Sequence, residues 1–534
     1  MNKLFEQLMQ ARGITEDFLH PQYEKLADSF LLPDMAQAVE RIEQAIKNHD
    51  HILIYGDYDV DGVTASTVMA DALKLAGIEK IDIMLPDRFA DGYGMSPKIV
   101  KKVQGLHANL VITVDCGSSN QAIIEELTAL GVDTIVTDHH EISNELPDAV
   151  AVINPKRQDY DGFRDLAGVG VAFKLAQALI KKGLIKEGQE KWLLDLVLIG
   201  TICDNMPLVA ENRILSFYGM KVLAKTRRVG LKELMLKAGV KTLNSDAIGF
   251  QIGPRLNAAG RLESAELSLK LLMVEKKVEA AAIADKLENL NKRRKTEQQA
   301  ALKEIRERGV SSEPVIIETG KWHEGILGIV AGKLTEEYRR PSFVLTEVQE
   351  GIYKGSGRSF GDFNLAAALA NCGDYIINGG GHALAAGVKV ASDKLYAFRE
   401  KMNDYYKSLD LEGQERFLEL NEDLAIDNLG DVNLGLLDDL ALLEPFGGDN
   451  EEPIFKLQDF RVVEVRHMGA ERQHLALIVE DKDLRQLKLL AFFAPEEWLK
   501  ITEDARLDLW VKLAENDWNG SRTIEGKIIN LKYT

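Results

Sequence analysis

HILIYGDYDVDG, residues 51–62, is where the fold becomes legible. An apolar run, His51–Gly56, stops at a turn carrying Asp57, Asp59 and Asp61, and a helical pattern opens at 62. The same unit recurs downstream. IDIML (81–85), NLVITVD (109–115), DTIVTD (133–138) and AVAVI (149–153) read as strands, with helical patterns between them, such as 62–77 and 118–130. Short continuous apolar strands alternating with amphipathic helices predict a parallel sheet covered on both faces. In such α/β sheets the active site lies beyond the carboxyl ends of the strands.

Those ends hold the chemistry. Three crowded carboxylates, Asp57, Asp59 and Asp61, repel one another unless a cation neutralises them. Hard oxygen donors select magnesium or manganese. An EF-hand calcium loop needs a distant Glu and flanking helices, and neither is present. Asp115 ends the strand 109–115, Asp138-His139-His140 ends the strand 133–138, and Asp204 follows a buried helical stretch. Singly, each has an ordinary reading as a helix cap or a surface residue. Together they place carboxylates and imidazoles at neighbouring strand ends, a donor set suited to two metals about 3.5–4 Å apart that clamp a phosphoryl group.

A basic set lies further on. GPRLNAAGR supplies Arg255, Asn257 and Arg261, and arginine forks match phosphate oxygens. GSGRS (355–359), with Ser356 and Arg358, and NGGGHALAAG (378–387), with Gly380, Gly381 and His382, let backbone amides approach a phosphate in a second domain. Lys321–Gly325, with Trp322 and His323, reads equally as a nucleic-acid contact and as the packed start of a helix.

Composition sets the frame. A chain of 534 residues needs about three domains. There is no 18-residue apolar run, no signal-peptide core and no Cys-x-x-Cys pair, so the expectation is a cytoplasmic protein without a membrane span, disulfide framework or zinc ribbon. The net charge of −19 argues against broad coating of duplex DNA. It is concentrated, however: residues 410–452 hold fourteen acids and one base, Arg416. Residues 275–308 read as one long charged helix, and 314–408 as a second α/β unit. FRVVEV, HLALIVE, LKLLAFF, LDLWVKL and GKIINLKY predict a small barrel at the end. Residues 454–534 are nearly neutral, with thirteen bases and fourteen acids. Their aromatics include Phe455, Phe460, Phe492, Phe493, Trp498, Trp510, Trp518 and Tyr533. Some fill the barrel; others, with Arg461, Arg466, Arg472 or Lys488, suit a stacking face.

Asp-x-Asp-x-Asp-Gly, Asp-Cys-Gly and Asp-His-His, in this order, resemble the DHH phosphoesterase superfamily, and GGGHALAAG resembles its associated second domain. PDRFADGYG (86–94), IGTICDNMPL (199–208), GPRLNAAGRL (253–262), GKWHEGILGIVAGKL (320–334) and EPFGGDNEEP (444–453) resemble the RecJ-like exonucleases within it. One departure is ICD before Asp204, where Cys203 replaces an ALA-like text; it bears on local packing. The resemblance implies two divalent ions, manganese or magnesium, held by Asp57, Asp59, Asp61, Asp115, His139 and Asp204, with Asp115 bridging. It implies His140 facing the scissile phosphate, and Arg255, Asn257, Arg261, His323, Ser356, Arg358, Gly380, Gly381 and His382 on the substrate.

It further implies 5′-to-3′ hydrolysis of single-stranded DNA to mononucleotides in recombination and repair. The expected protein is a monomer, with a single-strand-binding protein and a helicase as partners and no further domain after the barrel. The expected organisation is a DHH domain with an N-terminal helical segment (1–270), a connecting helix (271–312), a DHH-associated domain (313–410), an acidic linker (411–452) and an OB-like β domain (453–534). Two rivals stand beside this reading. A small-molecule DHH hydrolase needs no barrel after 453, and a DNA-binding scaffold needs no intact metal ligands.

Overall fold

The computed structural model describes residues 1–92, 94–142, 145–409, 411, 421–518 and 521–534. Tyr93 of the PDRFADGYG segment, residues 410 and 412–420 of the acidic stretch and the Trp518 side chain lie outside that description. The chain forms two compact units. One comprises Ser29–Asp204 and Val222–Glu419; the other comprises Met1–Asp28, Asn205–Lys221 and Leu420–Thr534.

The first unit begins with the predicted parallel sheet. Its strands are β1 (Ile52–Gly56), β2 (Ile81–Met84), β3 (Leu110–Val114), β4 (Asp133–Thr137) and β5 (Ala151–Ile153), in the order β2-β1-β3-β4-β5. All four pairings are parallel. Every residue of β1 and β3 is buried, which explains why these strands lack polar alternation. The chain leaves β1 toward β2 on one side and reaches β3 on the other. The order therefore reverses between β1 and β3, opening the crevice where α/β sheets place their ligands. Helices Val60–Leu75, Gly168–Lys181 and Leu194–Cys203 are almost wholly buried against this sheet and each other.

Helix Lys277–Arg308 runs 32 residues, about 48 Å at 1.5 Å per residue. It leads to a second sheet made of β6 (Ile316–Gly320), β7 (Ser342–Gln349), β8 (Ile352–Arg358), β9 (Asn378–Gly381) and β10 (Ala385–Ala391), ordered β6-β7-β8-β10-β9. Phe343, Phe363 and Phe398 fill one face. The far end of the long helix, through Ala301, Leu302 and Ile305, covers the other with Val330 and Leu334.

The second unit is built on β11 (Leu424–Ile426), β12 (Phe455–Met468), β13 (His474–Glu480), β14 (Gln486–Ala491), β15 (Arg506–Trp518) and β16 (Ser521–Tyr533). The order β12-β13-β14-β16-β15 closes through β12–β15 pairing, which makes the expected five-stranded OB-like barrel. Residues 1–28 join this unit rather than the first sheet, where the sequence reading puts them. Leu4, Phe5, Leu8 and Leu19 lie in the barrel's own core cluster, and Arg12 pairs with Asp423 at 2.5 Å. Residues 421–452, expected as a linker, likewise fold here from β11 through helix Leu434–Leu440.

Residues 205–221 complete the unit through one buried cation. Arg213 is 2% exposed and donates to the carbonyls of Phe18, Leu442, Leu443 and Glu444 at 2.8–3.0 Å, with its guanidinium over the Phe18 ring. It thus ties together three segments that are remote in sequence. The EPFGGDNEEP segment serves the same junction. Asn450 donates to Leu443 and Pro445, and the Leu208 amide donates to Gly448 at 2.7 Å. Arg213→Met removes the donors while keeping much of the bulk. Stranding these buried carbonyls should destabilise the unit by about 3 kcal/mol or more in chemical denaturation. A loss under about 1 kcal/mol would mean that the guanidinium is not the clamp.

Candidate metal centre

The acidic residues converge beyond β1, β3 and β4. Asp57 is buried, and its Oδ1 has no hydrogen-bond partner. Asp59 caps helix Val60–Leu75 and accepts from the Gly62 amide at 3.1 Å. Asp61 accepts the Gly168 and Val169 amides at 2.6 and 2.9 Å, so the start of helix Gly168–Lys181 fixes its carboxylate. Asp115 is buried, stands at φ 60° and also has an unpartnered Oδ1. Positive φ is unusual outside glycine, and Asp is among the residues that tolerate it best. A side chain at Gly168 would meet Asp115 Oδ1 at 2.6 Å, so only glycine allows the helix this close.

His139 Nε2 faces three of these acids, 3.1 Å from Asp115 Oδ1, 3.6 Å from Asp204 Oδ2 and 3.8 Å from Asp61 Oδ2. Three overlapping groups each bring their donor atoms within 4.8 Å: Asp57, Asp59 and Asp115; Asp61, His139 and Asp204; Asp115, His139 and His140. Asp115 belongs to the first and the third.

Such crowding cannot hold full negative charge. Burial, then the charge of Asp59, pushes Asp61 up to about 7. Burial, then Asp61 and Asp59, pushes Asp204 up to about 8. Asp57 and Asp115 are raised well above the usual carboxylate range, mainly by burial and then by their acidic neighbours. Orphaned buried oxygens and a hard oxygen and nitrogen donor set fit divalent cations.

The two histidines are driven apart. Asp138 has no capacity left for a metal. Its Oδ1 accepts the His139 and His140 amides and His140 Nδ1 (2.8 Å), and its Oδ2 accepts the Ser118 amide. Burial works against the Asp138 charge, but these bonds and the His140 charge hold it well below the usual carboxylate range. Burial would likewise lower His140, yet the Asp138 bond and charge raise it to about 9. Burial, then the charged His140, lowers His139 to about 3. One ring is therefore a neutral donor and its neighbour a cation, with ring centroids 4.4 Å apart.

The predicted substrate residues separate into groups. Arg261 lies among Arg88, Arg294 and Arg358, and burial followed by these like charges lowers it to about 9, with Asp59 acting the other way. Arg358 Nη1 donates to Ser356 Oγ at 3.2 Å. The register pairing Ala385 with Arg358 puts the His382 turn at the same end of the sheet, while Gly380 and Gly381 lie exposed on edge strand β9. His323 accepts from the Gly325 amide at 3.1 Å and meets Phe89 edge-on at 5.4 Å. Gly325 approaches Arg261 so closely that a Cβ would lie 1.8 Å from the Arg261 carbonyl oxygen. Asn257 has a buried Oδ1 without a hydrogen-bond partner. Arg255 stands apart: its guanidinium is tied to Glu288 at 2.5 Å and to the Gln251 carbonyl. Trp322 donates to Glu304 on the long helix.

Three contributors escape the sequence reading. Arg88 lies over the Tyr58 ring at 4.4 Å, beside the acids. Asn154, fully buried just after β5, donates to Ser118 Oγ and the His140 carbonyl. Gly168 offers Asp61 its amide. Asn154 was open to the strand-end rule used for the other motifs; Arg88 sits within the PDRFADGYG segment, where nothing local assigns it a role, and Gly168 carries no local signal. On the barrel, Phe492 and Phe493 are exposed and flank His474 at 5.5 and 4.7 Å between ring centroids. Phe455 and Phe460 are core, while Arg461, Arg466 and Lys488 are paired with acids.

Among the described residues no helix is long and apolar enough to cross a membrane. The DHH family, N-terminal domain, matches residues 51–201, the DHHA1 domain 312–408 and the RecJ OB domain 423–530. The chain is 33% identical to the single-stranded-DNA-specific exonuclease RecJ of Escherichia coli K12, over 94% of this chain and 90% of that protein. It is 35% identical to the protein of that name from Bacillus subtilis, covering 95% of this chain but spanning only 64% of the relative's length. Among solved structures, RecJ of Thermus thermophilus in complex with Mn2+ aligns over all of this chain and 76% of its own, with TM-score 0.86 and 28% identity. The same protein is also known in complex with Mg2+, at TM-score 0.82. With the DHH, DHHA1 and RecJ OB domains all matched along it and its likeness running through nearly the whole sequence, the chain belongs to the RecJ family.

Proposed function

We propose that the chain is a single-stranded-DNA-specific exonuclease that hydrolyses phosphodiester bonds from the 5′ end and releases mononucleotides in recombination and repair. The observation that carries this is a buried Asp/His cluster adjoining a cluster of arginines. Two divalent ions, manganese or magnesium, would be held by Asp57, Asp59, Asp61, Asp115, His139 and Asp204. When bound, they supply Lewis acidity, which polarises the phosphoryl oxygens and lowers the pKa of water.

The remaining steps fall to the chain. Asp61 is aimed by two helix amides and His139 is kept neutral, so both are ready as donors without reorganisation. Asp138 holds His140 protonated, and His140 donates a hydrogen bond to a non-bridging phosphate oxygen as charge builds there. Arg88, Arg261 and Arg358 neutralise a terminal phosphate. The exposed Phe492–His474–Phe493 face, with Arg472, stacks bases of a longer strand. The domain bounds read from the sequence enter this proposal with residues 1–28, 205–221 and 421–452 reassigned to the barrel unit.

Polarity is read directly from 5′-labelled and 3′-labelled single strands digested with manganese, with a chelator control. The expected result is early release of the 5′ label as a mononucleotide and a stall at blunt duplex; early release of the 3′ label overturns the polarity.

Asp115→Ala should abolish turnover and weaken manganese binding while leaving the circular dichroism of the protein unchanged. More than about a tenth of the wild-type rate at saturating manganese would remove Asp115 from the site, since losing a shared ligand costs several kcal/mol of charge stabilisation.

Protonation supplies a third test. Folded-state pKa values above the unfolded ones mean that, between the two values, the native state holds more protons than the unfolded chain, so stability falls as pH rises through that window. Between about pH 6.5 and 8 this holds for Asp204 and His140, joined by Asp61 up to about pH 7. His139, lowered instead, acts the opposite way only below about 6.5. Chelated protein should therefore lose thermal stability from pH 6.5 to 8, and manganese should restore it most at the upper end. A flat profile with and without the ion argues against this cluster as the metal centre.

A further inference from the structure

Away from the metal centre, the first unit carries a basic, aromatic surface with no role in the chemistry above. Arg227 lies over Trp192, its guanidinium carbon 3.5 Å from the ring centroid, and both side chains are exposed. Among the described residues no carboxylate pairs with Arg227. Two backbone turns, Gln189 onto Lys186 and Trp192 onto Gln189, carry Lys186, Lys191 and Trp192 to the start of helix Leu194–Cys203.

The segment bearing Arg227 is anchored at that same helix end. Thr226 donates to Asp195 at 2.5 Å, and Arg228 pairs with Asp71 at 2.8 Å. With Thr226 and Arg228 turned inward, Lys225 and Arg227 project into solvent. The exposed charges here include Lys182, Lys186, Lys191, Lys225 and Arg227, against Glu187; Lys182 also reaches Glu43 at 3.5 Å. In a chain of net charge −19 this is a local inversion. Helix Leu194–Cys203 has ten residues, about 15 Å, and Asp204 follows its opposite end, so the surface and the metal centre are separate.

We propose that this surface is a second, non-catalytic nucleic-acid contact. The lysines take backbone phosphates, and the Arg227–Trp192 stack takes a base. Spaced cations beside an aromatic–guanidinium platform match a strand that carries both charge and planar rings. An acidic peptide matches only the charge. The contact acts on strands long enough to extend beyond the metal centre and leaves the shortest substrates untouched. It rests on the single-stranded-DNA reading of the metal centre only for the kind of strand that arrives.

The test uses the full chain with chelator present and fluorescence anisotropy on a 6-mer and a 40-mer of thymidylate. Trp192→Ala and Arg227→Glu should each weaken 40-mer binding about tenfold while leaving 6-mer binding, and 6-mer turnover with manganese, unchanged. The double charge reversal Lys186→Glu with Lys225→Glu touches only exposed side chains. It should keep the wild-type melting temperature and flatten the salt dependence of 40-mer binding by about 1.4 in log–log slope, two phosphates' worth for a single strand. Unchanged 40-mer binding, or equal loss for both lengths, overturns the proposal. So does poly-L-glutamate, at equal charge, displacing the strand as well as unlabelled 40-mer does. A wild-type protein that degrades neither oligonucleotide defeats the exonuclease reading instead, and the two binding comparisons still decide the surface.

Discussion

Five carboxylates gathered in one largely buried space are the constraint around which the first unit is organised. Asp57, Asp59, Asp61, Asp115 and Asp204 come from three separate stretches of chain, and among the described residues no lysine or arginine forms an ion pair with them. Left alone they take up protons, as the upward shifts of Asp61 and Asp204 record. The scaffold meets this repulsion with hydrogen bonds that orient the acids rather than neutralise them. Helix amides hold Asp61, a left-handed backbone aims Asp115, and the buried helix Leu194–Cys203 delivers Asp204 at its last turn. The oxygens left over are the ones a cation needs.

A comparable device separates two histidines that are adjacent in sequence. A single hydrogen bond from His140 Nδ1 to Asp138 decides their roles. It keeps one ring charged, and that charge helps keep the other neutral. Asp138, the first letter of the Asp-His-His motif, is therefore an orienting group, and its four accepted hydrogen bonds leave it no coordination to offer.

Much of this is legible in the residues alone. The five strands of the first sheet stand out because most are buried on both faces, so their apolar runs are continuous; the strand ends then locate Asp57, Asp115 and His139. The barrel is legible from its spacing of short β patterns. What stays hidden depends on distant partners. Arg255 resembles a phosphate ligand because its partner Glu288 lies on another helix. Arg88 lies in the PDRFADGYG segment, but only the fold shows that it faces both acids and arginines. The acidic run after 420 reads as a solvated linker, but Asp423 pairs with Arg12 and Glu422 accepts from Trp510. Arg213 gives no hint of its role, since the carbonyls it binds belong to segments near residues 18 and 443.

The composition of the second unit also bears on how the protein is made. Residues 1–28 leave the ribosome about 400 residues ahead of the barrel that receives them, roughly 20–80 s at 5–20 residues per second. During that interval Leu4, Phe5 and Leu8 have no core to enter, while the whole of the parallel sheet can be completed. This segment, made long before the barrel, is among the last to be buried, and a nascent chain halted before residue 455 leaves its apolar helix face open to chaperones, proteases or other unfinished copies.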